Sequence, residues 1–205
     1  MVHWLRFRHE QSVSFGVLTE GQVEVYGGDI FDGATSTGVT LGLEEVEILI
    51  PCVPGKMLAL WNNFNALAEK LGMDTPPEPL YWVKTDGCYL GHGEKILKPA
   101  SYDGKVVFEG ELGIVIGSTC RGITEAQAPD HIFGYTCIND VTAVEIVNRD
   151  ETFPQWTRAK SFDTFGVMGP VIATDLDPQG LVVQTFLTKP GTAEVQERQN
   201  YPVSD

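Results

Sequence analysis

The stretch Phe108-Glu109-Gly110-Glu111-Leu112-Gly113-Ile114-Val115-Ile116 constrains this chain more than any other. Apolar and β-branched residues dominate it, which predicts a strand. Alternation along a strand puts Phe108, Leu112, Ile114 and Ile116 on one side, and Glu109, Glu111, Gly113 and Val115 on the other. Two carboxylates then stand close together on a face that continues with small or apolar residues. Like charges in such a place repel, and one carboxyl group rises in pKa unless a cation intervenes. A divalent cation with oxygen ligands is one remedy. The competing reading is a half-exposed strand carrying two solvated glutamates, and the pair alone does not separate the two.

With 205 residues the chain can build one domain with a full core and a small appendage. Its hydrophobic content of 42% and charged content of 20% suit a globular protein. A net charge of -14 argues against nucleic acid or an anionic membrane as partner. It does not oppose an anionic small molecule where a metal and local Lys or Arg set the sign within a pocket. Cys52, Cys88, Cys120 and Cys137 form no Cys-x-x-Cys pair, so free and mostly buried thiols in a reducing cytoplasm are expected. The N-terminus shows no signal-peptide pattern, and no apolar run approaches the ~18 residues of a membrane span.

Residues 1–50 read as a run of short strands, with Glu20-Gly21 as a hairpin turn between Phe15–Leu18 and Gln22–Tyr26. They predict a small β-rich appendage without chemistry of its own. The boundary falls before Pro51, so that 51–205 forms the main domain. There, Lys56–Trp61 predicts a core strand. Phe64, Leu67, Ala68 and Leu71 predict a helix stopped by Gly72. Leu80–Val83 is a further strand, Thr124–Ile132 a short helix, and Phe133–Ile138 a strand ending at Asn139-Asp140. Val141–Arg149 is helix-compatible, with Thr142-x-x-Glu145 as a capping box. Gln155–Gly166 reads as a polar, aromatic and basic loop, Gly169–Ala173 as a strand, and Leu181–Leu187 as the last strand. Many strands with few short helices predict a mixed α/β, β-rich fold.

Asp140, just past a strand end, is the obvious third oxygen ligand, although Asp also fills helix N-caps. With Glu109 and Glu111 it would make a hard-cation site with positions open to water and substrate. Lys160 could stabilise an oxyanion or a substrate carboxylate, or lie solvated at the surface. Gln155 could orient a water, and Glu69 could act as a base or face solvent.

Three blocks follow one another in this order: Phe108–Leu112, Gly134–Ala143 and Gln155–Thr164. Together they resemble the fumarylacetoacetate hydrolase family, from about Pro51 to the end of the chain. The resemblance implies a β-roll core, a frequent homodimer, and metal-dependent hydrolysis, decarboxylation or isomerisation of small 2-oxo or 1,3-diketo acids. It implies Mg²⁺ or Mn²⁺ on Glu109, Glu111 and Asp140, and Lys160 at the reacting carbonyl or enolate with Gln155 nearby. Two departures from the family pattern follow. Its usual histidine after the first core strand is replaced by Asn65, or by Leu67 if a gap shifts the match; Asn orients water but takes no proton from it. The sequence also stops before the family's closing C-terminal part, which predicts an open pocket. Besides the enzyme, an impaired or non-catalytic metal-binding member is therefore a second reading, and a charged surface patch a third.

Overall fold

The computed structural model describes residues 1–203. Strands β1 (Val2–His9), β2 (Ser12–Thr19), β3 (Gln22–Gly27) and β4 (Thr35–Gly42) form an antiparallel meander. Glu20 and Gly21 both have positive φ (50° and 78°), the geometry of a two-residue hairpin turn. Leu5, Phe7 and Val23 fill the inner face of this meander. The short β5 (Glu47–Ile48) pairs with β1.

The strand expected at Lys56–Trp61 is present as β6 (Met57–Trp61), and α1 (Asn65–Leu71) ends at Gly72 in the left-handed region. Strand β6 pairs only with β7 (Leu80–Lys84), matching Leu58 to Val83 and Leu60 to Tyr81. It is therefore not the core strand expected. One face of the two-stranded ribbon is open, with Leu58 53% and Leu60 48% exposed. The other face turns Trp82 and Lys84 inward.

After β8 (Tyr89–Leu90) and β9 (Val106–Val107) comes β10 (Gly110–Ile116), which opens one residue beyond Glu109. A 3₁₀ turn over Glu125–His131 leads into β11 (Ile132–Asp140). β10 and β11 are antiparallel, with Glu111 opposite Ile138. Gly113 is required here, since a Cβ would lie 2.8 Å from Ile138 Cγ1 and 2.9 Å from Thr136 Cγ2. Ile114 and Ile116 are exposed on the opposite side of β10 from the glutamate.

The segment after Asp140 departs from expectation. Thr142 and Ala143 form β12, paired with β9, so the helix α2 shrinks to Val144–Val147. The predicted capping box does not form, because its two side chains go elsewhere: Thr142 donates to Glu109, and Glu145 accepts from Tyr102. The predicted loop at 155–166 contains a helix, α3 (Trp156–Lys160), whose Ala159 is buried against Val141, Ala143, Ile146 and Phe165. Burial of that one face supplies what the polar composition hid. The chain continues through β13 (Gly166–Met168), β14 (Ile172–Thr174), β15 (Val182–Thr188) and β16 (Val195–Pro202). Leu181–Leu187 is thus not the last strand; it folds back on β16, whose polar residues carry no clear alternation.

The main sheet has ten strands in the order β4-β3-β2-β1-β14-β11-β13-β8, with β10 joined to β11 and β5 to β1. The β1–β14 pairing makes the N-terminal strands part of the same sheet as β11, which carries Asp140. All four cysteines are free. Cys52 and Cys88 are buried, but Cys120 and Cys137 are exposed, contrary to the expectation of mostly buried thiols. No helix among the described residues is long and apolar enough to cross a membrane.

Where β11 crosses β14 the backbones approach so closely that only glycine fits at 134: a Cβ there would meet the Ala173 carbonyl oxygen at 2.5 Å. Gly134→Ala should lower stability by about 1–3 kcal/mol, read as an earlier midpoint in urea unfolding; an unchanged midpoint would contradict this packing.

Candidate metal and acid–base centre

The site forms because alternation along one short segment sends neighbours in opposite directions. Val141 and Ala143 point into the core, so Asp140 and Thr142 point away from it. The Asp140 backbone N–H donates to the Glu109 carbonyl (2.8 Å), and the Glu109 N–H donates to Asn139 Oδ1 (3.1 Å). These two bonds, one within the main chain and one to the Asn139 side-chain oxygen, bring residues about thirty positions apart into contact before any side-chain charge is considered. Thr142 Oγ1 then donates to Glu109 Oε1 at 2.8 Å and orients that carboxylate.

Lys160 arrives from the last turn of α3. It is fully buried, and its ammonium donates to Glu109 Oε2 (2.7 Å) and Asp140 Oδ2 (2.6 Å). The same ammonium lies 4.9 Å from the ring centre of Trp82, which stacks on Trp156 at 5.0 Å. This apolar, aromatic wall removes water and strengthens the charged contacts it shields. The alternative of a solvated Lys160 is thereby eliminated, as is a helix-cap role for Asp140, which ends β11 and is buried.

A second lysine, Lys84, was not anticipated from the sequence. It is 1% exposed, donates to Asp140 Oδ1, and donates to the backbone carbonyl of Lys160 at 2.5 Å. A signal was available: on a strand, Lys84 shares a face with Trp82, and a lysine on an inward face requires an anionic partner.

Glu111 completes the cluster. Burial, then the nearby charges of Asp140 and Glu109, push its carboxyl group up to about 8, against a smaller lowering by Lys160. At neutral pH Glu111 therefore holds its proton, while Glu109 and Asp140 are matched against Lys84 and Lys160. Three carboxyl groups, one of them kept neutral by burial and by the charges of the other two, have the oxygen chemistry a hard divalent cation takes. As arranged here, Asp140 gives both oxygens to lysines. Among the described residues no three His, Cys, Asp or Glu side chains are gathered so as to hold a metal. The donor chemistry fits Mg²⁺ or Mn²⁺, with the Lys160 ammonium standing as the cation between Glu109 and Asp140.

The remaining candidates stand apart from these contacts. Gln155 precedes α3, and its side chain donates to the Phe153 carbonyl at 3.4 Å. Asn65 and Glu69 lie on α1 and line an open cavity of about 560 Å³ with Met73, Asp74 and Thr75. Among the described residues, the ion pairs of the carboxylate cluster are made by Lys84 and Lys160 and do not include Glu69.

The family description "Fumarylacetoacetate (FAA) hydrolase C-terminal" matches residues 56–204, and "Rv2993c-like, N-terminal" matches residues 2–51. The chain belongs to the fumarylacetoacetate hydrolase family. An uncharacterized protein of Archaeoglobus fulgidus is 42% identical over 174 residues, which are 84% of this chain and 66% of that protein. The chain thus spans about two thirds or less of the curated relatives it matches. Among solved structures, 2-hydroxyhepta-2,4-diene-1,7-dioate isomerase from Mycobacterium marinum shares 30% identity with a TM-score of 0.82, covering 99% of this chain and 75% of that one. Maleylpyruvate hydrolase from Sphingobium sp. SYK-6, solved with manganese(II) and pyruvate, gives a TM-score of 0.69 at 22% identity, over 96% of this chain and 76% of that one. The latter likeness is one of fold. The strand-rich α/β architecture described above is the one this family shares.

The state of Glu111 has a consequence for stability. Its folded pKa of about 8 lies above the ordinary value of 4.5, so the folded protein binds the extra proton. Stability without metal should therefore fall as pH rises from 4.5 through about 8. Thermal midpoints measured in EDTA across that window should decline in the wild type and decline less in Glu111→Gln. Parallel curves would show that Glu111 does not carry the proton.

Proposed function

We propose that the chain is a divalent-metal-dependent enzyme acting on a small 2-oxo or 1,3-diketo acid, by C–C hydrolysis, decarboxylation or isomerisation. The observation that carries this reading is the meeting of Glu109 and Asp140 on the buried Lys160 ammonium, beside a Glu111 whose carboxyl group burial and the charges of Asp140 and Glu109 push up to about 8. Family membership and the isomerase name of the Mycobacterium marinum relative support it.

Glu109, Glu111 and Asp140 would hold the Mg²⁺ or Mn²⁺. When bound, the ion would supply Lewis acidity to the carboxylate and adjacent oxo group of the substrate. The chain's own residues do the rest. Glu111, which holds a proton at neutral pH, would have to release it to serve as a ligand. Lys160, whose ammonium is held between Glu109 and Asp140, would be the donor for negative charge developing on a substrate oxygen. The Trp82–Trp156 stack keeps water from the ammonium and preserves its strength. Gln155, at the start of the helix carrying Lys160, is in sequence reach to orient a substrate oxygen or water. A second copy of the chain is the partner this reading adds, supported by the exposed apolar face of β6 and β7. Cytoplasmic residence agrees with the free cysteines.

The second reading, a metal-binding member without turnover, is favoured by one feature. Asn65, in the position where the family pattern has histidine, shares its cavity with Glu69 and Asp74 but supplies no base of its own.

Calorimetric titration with Mn²⁺ near pH 7, in buffers of different ionisation heat, should show binding with release of about one proton per ion. Glu111→Gln should bind more weakly without that release. Oxaloacetate and acylpyruvates are the substrates to assay. Wild-type turnover that needs Mn²⁺ supports the enzyme, turnover only after Asn65→His supports the impaired form, and absence of metal binding would end both readings.

A further inference from the structure

We infer that Lys84 is a positioning residue, which orients Asp140 and Lys160 together and so sets the affinity of the carboxylate cluster for a divalent cation. The inference rests on the metal-site reading of the cluster given above.

Lys84 is the last residue of β7, and its ammonium is buried between two groups from two other elements. It donates to Asp140 Oδ1, at the end of β11, and to the Lys160 carbonyl, at the end of α3. Asp140 therefore has each oxygen on a different ammonium, Oδ1 on Lys84 and Oδ2 on Lys160. Rotation of that carboxylate would break one bond or the other, so its direction is set. Lys160 is held from the same strand at both ends. Lys84 takes its backbone carbonyl, and Trp82, two residues earlier on β7, lies beneath its ammonium. One strand thus determines where the Asp140 carboxylate points and where the Lys160 ammonium rests.

A stabilising role alone does not account for this placement. Two ammoniums sharing one buried carboxylate carry a desolvation penalty that apolar packing of similar volume would avoid. Outer-shell partners of metal ligands, by contrast, commonly change affinity by about 10–100-fold through orientation. Lys84 has two opposed effects on a cation. Its charge repels the ion, whereas its hydrogen bonds prearrange the ligand. The sign of the change when Lys84 is altered tells which effect governs.

The probe is Mn²⁺ binding measured by titration calorimetry on folded protein, with near-ultraviolet circular dichroism of the metal-free protein as a second readout. Lys84→Met should bind Mn²⁺ about tenfold or more weakly than wild type, although it removes a repelling charge. Lys84→Arg keeps the charge but moves the donors, and should also bind more weakly, by a smaller factor. Tighter binding by Lys84→Met, or unchanged binding by Lys84→Arg, would overturn the inference and leave Lys84 as a bystander charge. A merely structural lysine would lower the thermal midpoint without altering the affinity of the folded variant, which would also overturn it. If Lys84→Met does not fold, Lys84→Arg decides alone. If the wild type binds no Mn²⁺, the proposed function fails and this inference with it, whereas wild-type binding that Lys84→Met leaves unchanged removes the inference alone. A near-ultraviolet signal equal to that of the wild type shows that a weakened affinity is not loss of the fold.

Discussion

The contact on which the site depends is the pair of bonds from the buried Lys160 ammonium to Glu109 and Asp140. A charge with no exposure to water must be matched within the protein. Here the match is shared: Lys160 faces two carboxylates, and Asp140 faces two lysines. The third carboxyl group, on Glu111, is the one left without a cation, and it keeps its proton instead. The cluster is therefore near charge balance as it stands, with two ammoniums facing two carboxylates.

The fold delivers this arrangement largely through main chain. Hydrogen bonds from the Asp140 N–H to the Glu109 carbonyl, and from the Glu109 N–H to the Asn139 side chain, join two strand ends before their carboxylates meet. Alternation across 140–143 then divides the segment between core and site. The core half, Val141 and Ala143, packs with Ala159 and Phe165, which anchors α3 and with it Lys160. Hydrophobic burial and site geometry are therefore set by the same few residues. An apolar substitution beneath the site would be felt in the position of the lysine above it.

The apolar surfaces left open are as informative as the core. The outer face of the β6–β7 ribbon, and Ile114 and Ile116 on β10, are large, aliphatic and exposed. The inner face of the same ribbon supplies Trp82 and Lys84 to the site.

Much of this was legible in order alone. The period-two pattern around Glu109 and Glu111, the turn at Glu20-Gly21 and the stop at Gly72 are local rules, and local rules survive into the fold. The family blocks named Asp140 and Lys160, and structure brings both to Glu109. What the order of residues did not reveal depended on partners far along the chain. Lys84 looks like any strand-end lysine until β11 and α3 arrive on either side of it. Thr142 and Glu145 have the spacing of a capping box, but Glu109 and Tyr102 compete for them and win, because long-range pairing with β9 holds Thr142 in a strand. The helix at Trp156–Lys160 is mixed in composition and is held by Ala159 and Trp156 against the core. The sequence by itself determined which residue types could bind a cation and which strands would carry them. Tertiary structure alone decided which charges meet, because burial turns a carboxylate or an ammonium from a solvated group into one that must find its partner inside.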